Sequence, residues 1–223
     1  MASTPVTDFD LGASMPSTSS DPFETRELTP ARWNDFETLF GKYGGVQRGC
    51  WCMFYHRAAP NRAATEAARQ EQNRLDHRAL LREGRARGVL VYREGVPVGW
   101  CQYGLRDELP RIDGGRKYRA MVGKLGDPPR WRITCFFVDR PTRRQGIARR
   151  ALHSALEAIG ERGGGVVEAY PATNPRAVGI WFGTVSMFQR EGFETVRRFG
   201  RSNLLMRRTV GAARRKGPRK VAL

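Results

Sequence analysis

The sequence predicts a mixed α/β domain in which a helix joins two parallel strands of one sheet. Three observations indicate this class: an apolar hairpin over residues 88–105, a buried strand-like run, WRITCFFV, at 131–138, and an amphipathic helix directly after that run. Another strand-like run, GGGVVEAYPA, follows the helix at 163–172. Because strand–helix–strand connections within one sheet are nearly always right-handed, the runs at 131–138 and 163–172 are expected to lie parallel.

The chain before the hairpin predicts one strand and two helices. Residues 23–30 are typical of a short strand that leads into a helix over 31–43, whose apolar side chains recur on one face: Trp33, Phe36, Leu39 and Phe40. Residues 44–56 predict a loop that continues as an aromatic-rich extended stretch. An Ala- and Arg-rich helix is expected over 62–86, and its thin apolar face favours a mobile cover over a core element.

From the hairpin onward the pattern predicts strands around the crossover helix. The Glu94-Gly95 pair marks the hairpin turn, and residues 106–130, rich in Gly, Pro and charge, predict a long surface loop. The crossover helix carries apolar residues at i, i+3, i+4, i+7, i+8 and i+11: Ala148, Ala151, Leu152, Ala155, Leu156 and Ile159. A short helix that ends at Gly192 precedes two final strands.

Length and composition indicate one folded domain with two tails. The chain has 223 residues and 40% hydrophobic residues, which suffices for one core. Residues 1–22, rich in Ser, Thr and Pro, predict a disordered tail. Residues 210–223 predict a basic disordered tail, which leaves 23–209 as the folded domain.

Targeting and cysteine patterns predict a cytoplasmic protein. No run of about 18 apolar residues is present, and the N-terminus has neither the basic start nor the apolar stretch of a secretory signal. No membrane association is therefore expected. The four cysteines, Cys50, Cys52, Cys101 and Cys135, are expected to be reduced and partly buried. No second ligand pair accompanies Cys50 and Cys52, so no metal is expected.

The charge balance favours an anionic partner. The formal net charge is +17, which suits nucleic acid or a phosphate-bearing ligand, although a basic tail and compositional drift account for it equally well. The basic tail lacks interleaved aromatic residues for base stacking, so it predicts at most weak, non-specific contact with nucleic acid. A nucleic-acid-binding module is therefore the less favoured alternative to an enzyme.

Residues 138–152, VDRPTRRQGIARRAL, carry the strongest functional signal. A loop with Arg140, Arg143 and Arg144 follows a strand, and Gly146 opens the crossover helix. The first turn of a helix offers unpaired N–H groups and positive potential to an anion. A glycine lets a phosphate approach the backbone closely, and the arginines add attraction. The pattern is neither a Walker A loop nor G-x-G-x-x-G.

One hexapeptide within this stretch resembles a known cofactor site. It fits the pattern [QR]-x-x-G-x-[GA] and consists of Arg143, Arg144, Gln145, Gly146, Ile147 and Ala148. Between a strand and an amphipathic helix, it resembles the acetyl-CoA site of the GNAT superfamily of N-acetyltransferases, and the order of elements is similar as well. The stretches GCWCMFY, GVPVGWCQYG, WRITCFFV, VEAYPA and GTVSMFQREGF resemble one bacterial subgroup of that family, so that the resemblance covers about residues 23–209.

This resemblance implies a fold and a cofactor. The fold is a mixed, mostly antiparallel sheet with a central, splayed pair of parallel strands, flanked by helices. The cofactor is acetyl-CoA as acetyl donor, without a metal. Its diphosphate would bind the hexapeptide, and its pantetheine arm would pair with the backbone of the splayed strand at Phe136, Phe137 and Val138. Ser186, on the short helix, is a further candidate cofactor contact.

The implied reaction is direct transfer of the acetyl group to a primary amine of a small molecule. A typical alkylamine has a pKa of about 10.4, so the site must remove a proton and stabilise an oxyanion. Glu168 is the candidate base, with a substrate-anchoring or structural carboxylate as the alternative. A tyrosine that often serves as general acid in the family is Phe188 here. Tyr170, Ser186 or water remain as proton donors to the thiolate.

Seven residues of two aromatic stretches are expected to form the acceptor pocket: Trp51, Met53, Phe54, Tyr55, Trp100, Gln102 and Tyr103. Packing in the core would also explain many of these side chains. An aromatic wall with few acids favours a partly apolar amine over a polycation. The acids of the neighbouring loop are Asp107, Glu108 and Asp113. Protein or peptide N-acetylation and a non-catalytic acyl-CoA-binding protein stay as alternatives, and a homodimer is one option for the assembly.

Other reactive side chains are given less weight. Cys135 offers a covalent acetyl-cysteine route, but a buried small hydrophobic residue is the favoured interpretation. His56 is interpreted as an exposed loop histidine that could also face the substrate. His77 and His153 fall on the polar faces of predicted helices and are expected to be solvated.

Overall fold

A seven-stranded sheet forms the centre of the molecule. The computed structural model describes residues 21–174 and 181–213. Its strands are β1 (Phe23–Glu27), β2 (Arg87–Arg93), β3 (Val96–Leu105), β4 (Trp131–Val138), β5 (Gly165–Ala169), β6 (Glu194–Phe199) and β7 (Asn203–Val210). The order across the sheet is β1-β2-β3-β4-β5-β7-β6, and every neighbouring pair is antiparallel except β4 and β5. The predicted fold class is confirmed.

Helices cover both faces of this sheet. They are α1 (Trp33–Gly41), α2 (Glu66–Arg82), α3 (Arg111–Gly114), α4 (Arg116–Arg119), α5 (Ile147–Glu161) and α6 (Val185–Arg190). The crossover helix α5 buries its predicted apolar stripe against one face of the sheet. Helices α1 and α2 pack with β2 and β3 side chains on the other face. No helix in the described ranges is long and apolar enough to cross a membrane.

The hairpin between β2 and β3 forms as predicted. Glu94 and Gly95 both have positive φ, 51° and 78°, as a tight turn matched to the strand twist requires. The four apolar residues predicted on one face of α1 are all buried. Local sequence therefore suffices for these two elements.

The parallel pair separates after three residues. Trp131 to Ile133 of β4 pair with Val167 to Ala169 of β5, and β4 then runs on to Val138 without β5 beside it. Across this splay, the Phe136 N–H donates to the carbonyl oxygen of Trp181 at 2.7 Å. A gap therefore opens between the carboxyl ends of two central strands, which is where open α/β sheets bind ligands.

Two segments differ from their predictions around the first two helices. Residues 44–56 form successive turns and no extended strand, with positive φ at Val46, Gln47, Arg48, Trp51 and Cys52. Helix α2 begins later than predicted, because Thr65 accepts a capping hydrogen bond from the Ala68 N–H at 3.1 Å. It is also fixed to the core, since Asn73, His77 and Leu81 are buried. The prediction of a mobile cover was wrong.

Residues 106–130 also differ from the prediction of a surface loop. They contain α3, α4 and a 3₁₀ turn. Their apolar side chains Ile112, Tyr118 and Leu125 form a third core cluster with Tyr170 and Leu205. The segment therefore packs against Tyr170, the residue that follows β5. Most of the two predicted tails, residues 1–20 and 214–223, lies outside the described residues.

Candidate active site

The loop before α5 has the backbone of an anion site. Gly146 adopts φ 78° and Arg144 adopts φ 64°, both left-handed, and α5 begins at Ile147. A Cβ added to Gly146 would meet no atom within 4 Å. The glycine is thus required by backbone conformation, and the space beside it is open to a ligand.

A cavity of about 880 Å³ lies between this loop, the splayed end of β4 and α6. We call it the cofactor cavity, and it is lined by Phe136, Phe137, Val138, Arg140, Arg143, Arg144, Gly146, Ile147, Ala148, Arg149, Trp181, Gly183, Thr184, Ser186, Met187 and Arg190. Nine of the ten predicted cofactor-binding residues lie in this wall, and Gln145 does not. The structure therefore brings the two stretches, 136–148 and 186, to one site.

The charges of the cofactor cavity are positive and largely unpaired. Among the described residues, five arginines line it and no carboxylate does. Arg149 pairs with Glu191 at 3.0 Å. Arg140, Arg144 and Arg190 form no ion pair within the described part of the chain, and the Arg143 Nε donates to the Val138 carbonyl oxygen at 3.3 Å. Unpaired guanidinium groups at a helix N-terminus suit a ligand with several phosphates.

Asp139 holds the loop in place. It follows β4 and accepts hydrogen bonds from Lys42 Nζ at 2.8 Å and from the Tyr43 hydroxyl, both after the end of α1. Burial opposes ionisation, but these two donors together hold the pKa of Asp139 below its ordinary value. The carboxylate therefore ties α1 to the anion loop.

The opposite wall comes from the chain after the gap at 175–180. Trp181 stacks on Phe137 with ring centroids 6.3 Å apart. Thr184 caps α6 by accepting from the Met187 N–H at 3.3 Å. Sequence reasoning missed Trp181, Gly183, Thr184 and Met187, together with Arg190, as cavity residues. The one available signal was the N-cap threonine before α6.

Phe188 lies away from the cavity. Its ring is fully buried and packs edge-to-face on Phe136 and Phe193, with centroids 5.9 Å and 5.0 Å away. This position of α6 therefore serves the core and offers no proton.

The two candidate catalytic residues, Glu168 and Tyr170, belong to a buried ion network outside the cavity wall. Glu168 is fully buried, accepts from Arg207 Nε at 2.8 Å and from the Tyr170 hydroxyl, and lies 3.9 Å from Arg132 Nε. Strand register explains the arrangement, because Glu168 is the Cα partner of Arg132 on β4 and of Arg207 on β7. Both carboxylate oxygens are occupied.

Asp113 completes this network, which we define as Arg106, Asp113, Arg132, Glu168, Tyr170 and Arg207. Asp113 pairs with Arg132 at 2.7 Å and with Arg106 at 2.9 Å. Glu108, the second acid of that loop, pairs with Arg87. Two of the three acids considered for a cationic substrate are therefore already neutralised.

Of the seven predicted acceptor residues, Phe54 is exposed, Tyr55 is partly exposed and the other five are buried. Trp51, Met53, Trp100, Gln102 and Tyr103 are buried. Phe54 is 50% exposed beneath the Arg111 guanidinium, 4.1 Å from its ring centre. Tyr55 is partly buried and contacts Phe182 at 6.1 Å between ring centroids.

The polar atoms of the buried acceptor candidates have partners inside the protein. Gln102 Nε2 donates to the Cys52 carbonyl oxygen at 2.8 Å, and Gln102 Oε1 accepts from the Thr134 hydroxyl at 2.9 Å. Tyr103 points to the face covered by α5, where its hydroxyl donates to Glu27. The expectation of one shared wall was wrong for Tyr103, because adjacent residues of a strand face opposite sides.

The histidines differ from their predictions at two positions. His77 is fully buried among Trp33, Phe36 and Trp100, and burial lowers its pKa to about 3. Burial also lowers the pKa of His56 to about 4, and its Nδ1 lies 2.9 Å from the Glu108 carbonyl oxygen. His153 is exposed, as predicted. The four cysteines are free.

Metal ligands do not converge in the described ranges, where no three His, Cys, Asp or Glu side chains are placed to hold an ion. The described site thus consists of a cationic cavity, a splayed strand and, next to Trp181 of the cavity wall, a partly closed aromatic end formed by Phe54, Tyr55 and Phe182.

Fold and cavity together define a protein that can hold a long, multiply anionic ligand between a splayed strand and a helix N-terminus. The model of the acetyltransferase (GNAT) family matches residues 33–183, more than half of the chain. The chain therefore belongs to the GNAT acetyltransferase family, which confirms the resemblance seen in the sequence.

Solved structures of similar proteins come from several organisms. The N-acetyltransferase of Staphylococcus aureus Mu50 is 12% identical over 86% of this chain and 100% of that chain, with a TM-score of 0.47. The ribosomal-protein-alanine N-acetyltransferase of Brucella melitensis is 20% identical over 83% and 99%, with a TM-score of 0.46. The PaiA N-acetyltransferase of Thermoplasma acidophilum, solved with coenzyme A, is 11% identical over 84% and 98%, with a TM-score of 0.48.

None of the curated proteins compared with the chain matches it. The assignment to the family therefore rests on the family model and not on these distant likenesses.

Proposed function

We propose that this protein is an N-acetyltransferase that moves the acetyl group of acetyl-CoA to a primary amine of a small molecule. The observation that carries the proposal is the cofactor cavity. Its described lining combines five arginines and no carboxylate with the N-terminus of a 15-residue helix and an unpaired strand edge. Acetyl-CoA offers the matching chemistry, since it has a diphosphate, a further phosphate and a long amide-containing arm.

The residues of the cavity divide the cofactor between them. The first turn of α5 and Arg143 and Arg144 would bind the diphosphate. Alternation along β4 puts the backbone groups of Phe136 and Val138 on the edge that faces the splay. The Phe136 N–H already donates to Trp181. The Val138 carbonyl oxygen accepts from Arg143, so the Val138 N–H is the more available backbone donor for the pantetheine arm.

A small acceptor amine fits the partly closed aromatic end of the site. Residues 106–125 pack against Tyr170, and Tyr55 packs on the same cluster. Glu108 and Asp113 are bound by arginines, so these acids do not favour a polycation. These features support an amine with an apolar body.

The base hypothesis for Glu168 stays a prediction, and the buried ion network supports a competing structural role. A general base must expose a lone pair to the proton that it removes. Here the two carboxylate oxygens accept from Tyr170 and Arg207. A water molecule that carries the amine proton away is the alternative route.

Calorimetric titration with CoA tests the cofactor half of the proposal. We expect binding that weakens as salt rises, because the contacts are ionic. Gly146→Glu should abolish it by placing a carboxylate and a strained φ at the anion site. Gly84→Glu is the matched control, since Gly84 has φ 70° and open space around an added Cβ. Equal binding by both variants would contradict the proposed site.

An amine panel read by release of free CoA thiol tests the transfer half. Turnover with small aromatic or alkyl amines supports the proposal. Thiol release with peptides alone would favour a protein N-acetyltransferase, and CoA binding without any turnover would favour a non-catalytic acyl-CoA-binding protein.

A further inference from the structure

Tyr55 lies at the splay of the central strands. It packs against the cluster of Ile112, Tyr118 and Tyr170, next to the carboxyl end of β5. Its ring contacts Phe182, two residues before Thr184 of the cavity wall. The Tyr55 ring therefore lies between the residue that follows β5 and the segment that forms one wall of the cofactor cavity.

The hydroxyl of Tyr55 differs from those of the other tyrosines, all of which the structure describes. Four of the six donate to carboxylates: Tyr43 to Asp139, Tyr92 to Asp35, Tyr103 to Glu27 and Tyr170 to Glu168. The Tyr118 hydroxyl is sealed in the interior without a partner. Tyr55 has no hydrogen-bond partner in the described chain, and its hydroxyl is not sealed. It is the phenol that is free to donate to a ligand.

The surroundings keep this phenol protonated. Burial, with a smaller contribution from the Cys135 and Cys50 thiols, raises the pKa of Tyr55 above its ordinary value. At neutral pH the group is therefore a proton donor and not a base. Among the described residues no tyrosine lines the cofactor cavity itself, and Phe188 of α6 is buried in the core.

We propose that Tyr55 is the catalytic acid that protonates the departing CoA sulfur. This inference rests on the proposed acetyltransferase function and names the residue that its leaving group needs. The amine nitrogen forms a bond to the acetyl carbon, and the C–S bond breaks with its electron pair passing to sulfur. Tyr55 gives its proton to that sulfur. The proton lost by the nitrogen returns through water to the phenolate, so that charge and atoms balance.

The direct test follows the thiol of bound CoA without any acceptor. The ultraviolet absorbance of the thiolate is titrated against pH in the CoA complex, with the complex of desulfo-CoA as the blank. The blank removes the protein's own thiols, of which Cys50 ionises only at about pH 11 because of its burial. A donor to the thiolate favours the ionised form. In Tyr55→Phe, the CoA thiol should therefore ionise at a pH about one unit higher than in the wild type.

Kinetics with the best amine of the panel give the second readout. Tyr55→Phe should lower kcat about 100-fold, at the lower end of general acid contributions, and leave the Kd of CoA unchanged. Tyr118→Phe is the matched control in the same cluster and should behave as wild type in both measurements. Tyr170→Phe tests the competing phenol.

The outcomes separate this inference from the proposed function. Failure of the wild type to bind CoA sinks the proposed function itself. If CoA binds and the thiol of Tyr55→Phe titrates as in the wild type, the role of Tyr55 is refuted while the cofactor site stands. The same holds if Tyr170→Phe, and not Tyr55→Phe, moves the titration. A higher ionisation pH in Tyr55→Phe alone supports the assignment.

Discussion

The cofactor cavity and the buried ion network are both rich in arginine, yet they handle charge in opposite ways. In the cavity wall, the guanidinium groups of three of the five described arginines have neither an ion pair nor a hydrogen bond within the described chain. In the network, Arg132 and Arg207 are held by Glu168 and Asp113. Guanidinium charge left open at a surface is available to a ligand, whereas charge matched inside the protein fixes the fold. The presence or absence of an ion-pair partner therefore indicates which arginines serve the fold and which are available to a ligand.

Glu168→Gln has the largest expected effect and tests whether the buried ion network stabilises the fold. Removing one buried charge leaves Arg132 and Arg207 partly uncompensated, so we expect the free energy of unfolding to fall by about 3–5 kcal/mol. CoA affinity at a temperature where the variant is folded should be unchanged. Urea denaturation and calorimetry measure the two quantities.

The same variant decides between the two roles of Glu168. A catalytic base would show the reverse result, with stability preserved and turnover reduced. Asp107→Asn is the control and should change neither, because Asp107 is an exposed acid of the neighbouring loop that forms no ion pair with a described residue.

The double change Arg143→Ala and Arg144→Ala tests the cavity side. Each guanidinium lost removes a charge-assisted hydrogen bond of about 1.5–3 kcal/mol, so CoA affinity should fall at least 100-fold. Stability should stay within about 0.5 kcal/mol, because both side chains are exposed. The control pair Arg116→Ala and Arg119→Ala lies on exposed α4 and should leave affinity intact. A large loss of stability in the cavity variant would show that its arginines serve the fold as well.

These two regions also differ in how far the sequence could predict them. The anion loop is local, since Gly146 and its neighbours follow one another and α5 has a regular apolar period. The pattern therefore identified nearly the whole loop. The network depends on strand register, which brings Glu168 beside Arg132 and Arg207 from distant parts of the chain. No short pattern contains that information.

Two errors have physical causes that a sequence shows only in part. Helix α2 buries a stripe with two polar members, Asn73 and His77, because α1 and β3 supply aromatic rings around the imidazole. A period of apolar residues cannot reveal such a face. The turns at 44–56 need left-handed backbone at non-glycine residues, which local propensity disfavours. By contrast, strand alternation alone could have separated Tyr103 from Gln102.

His77 is a third way of handling charge, because this titratable group is buried and kept neutral. Its pKa is about 3 in the folded protein against 6.5 in the unfolded chain. Between these values only the unfolded chain takes up the proton, so the free energy of unfolding falls by about 1.4 kcal/mol per pH unit as the pH drops below 6.5. Above pH 6.5 this dependence is absent.

Urea denaturation at pH 7 and pH 5 measures this loss, about 2 kcal/mol from His77 between pH 6.5 and pH 5. His77→Leu should show a correspondingly smaller decrease between the two pH values. His153→Gln, at an exposed histidine, should decline as the wild type does. A slope unaffected by His77→Leu would mean that the imidazole is protonated inside the protein.

The smallest expected effect distinguishes a structural cap from one that also shapes the cofactor cavity. Thr184 caps α6 within the cavity wall, and Thr65 caps α2 away from it, each by accepting from a backbone N–H three residues later, at 3.3 Å and 3.1 Å. Either threonine changed to alanine should cost about 1 kcal/mol of stability. Only Thr184→Ala should also weaken CoA binding, by a few fold, because Ser186 and Met187 lose their fixed position beside the ligand. Equal affinity in the two variants would mean that α6 supports the cavity passively, and the functional contrast would then rest on the arginines and the splayed strand alone.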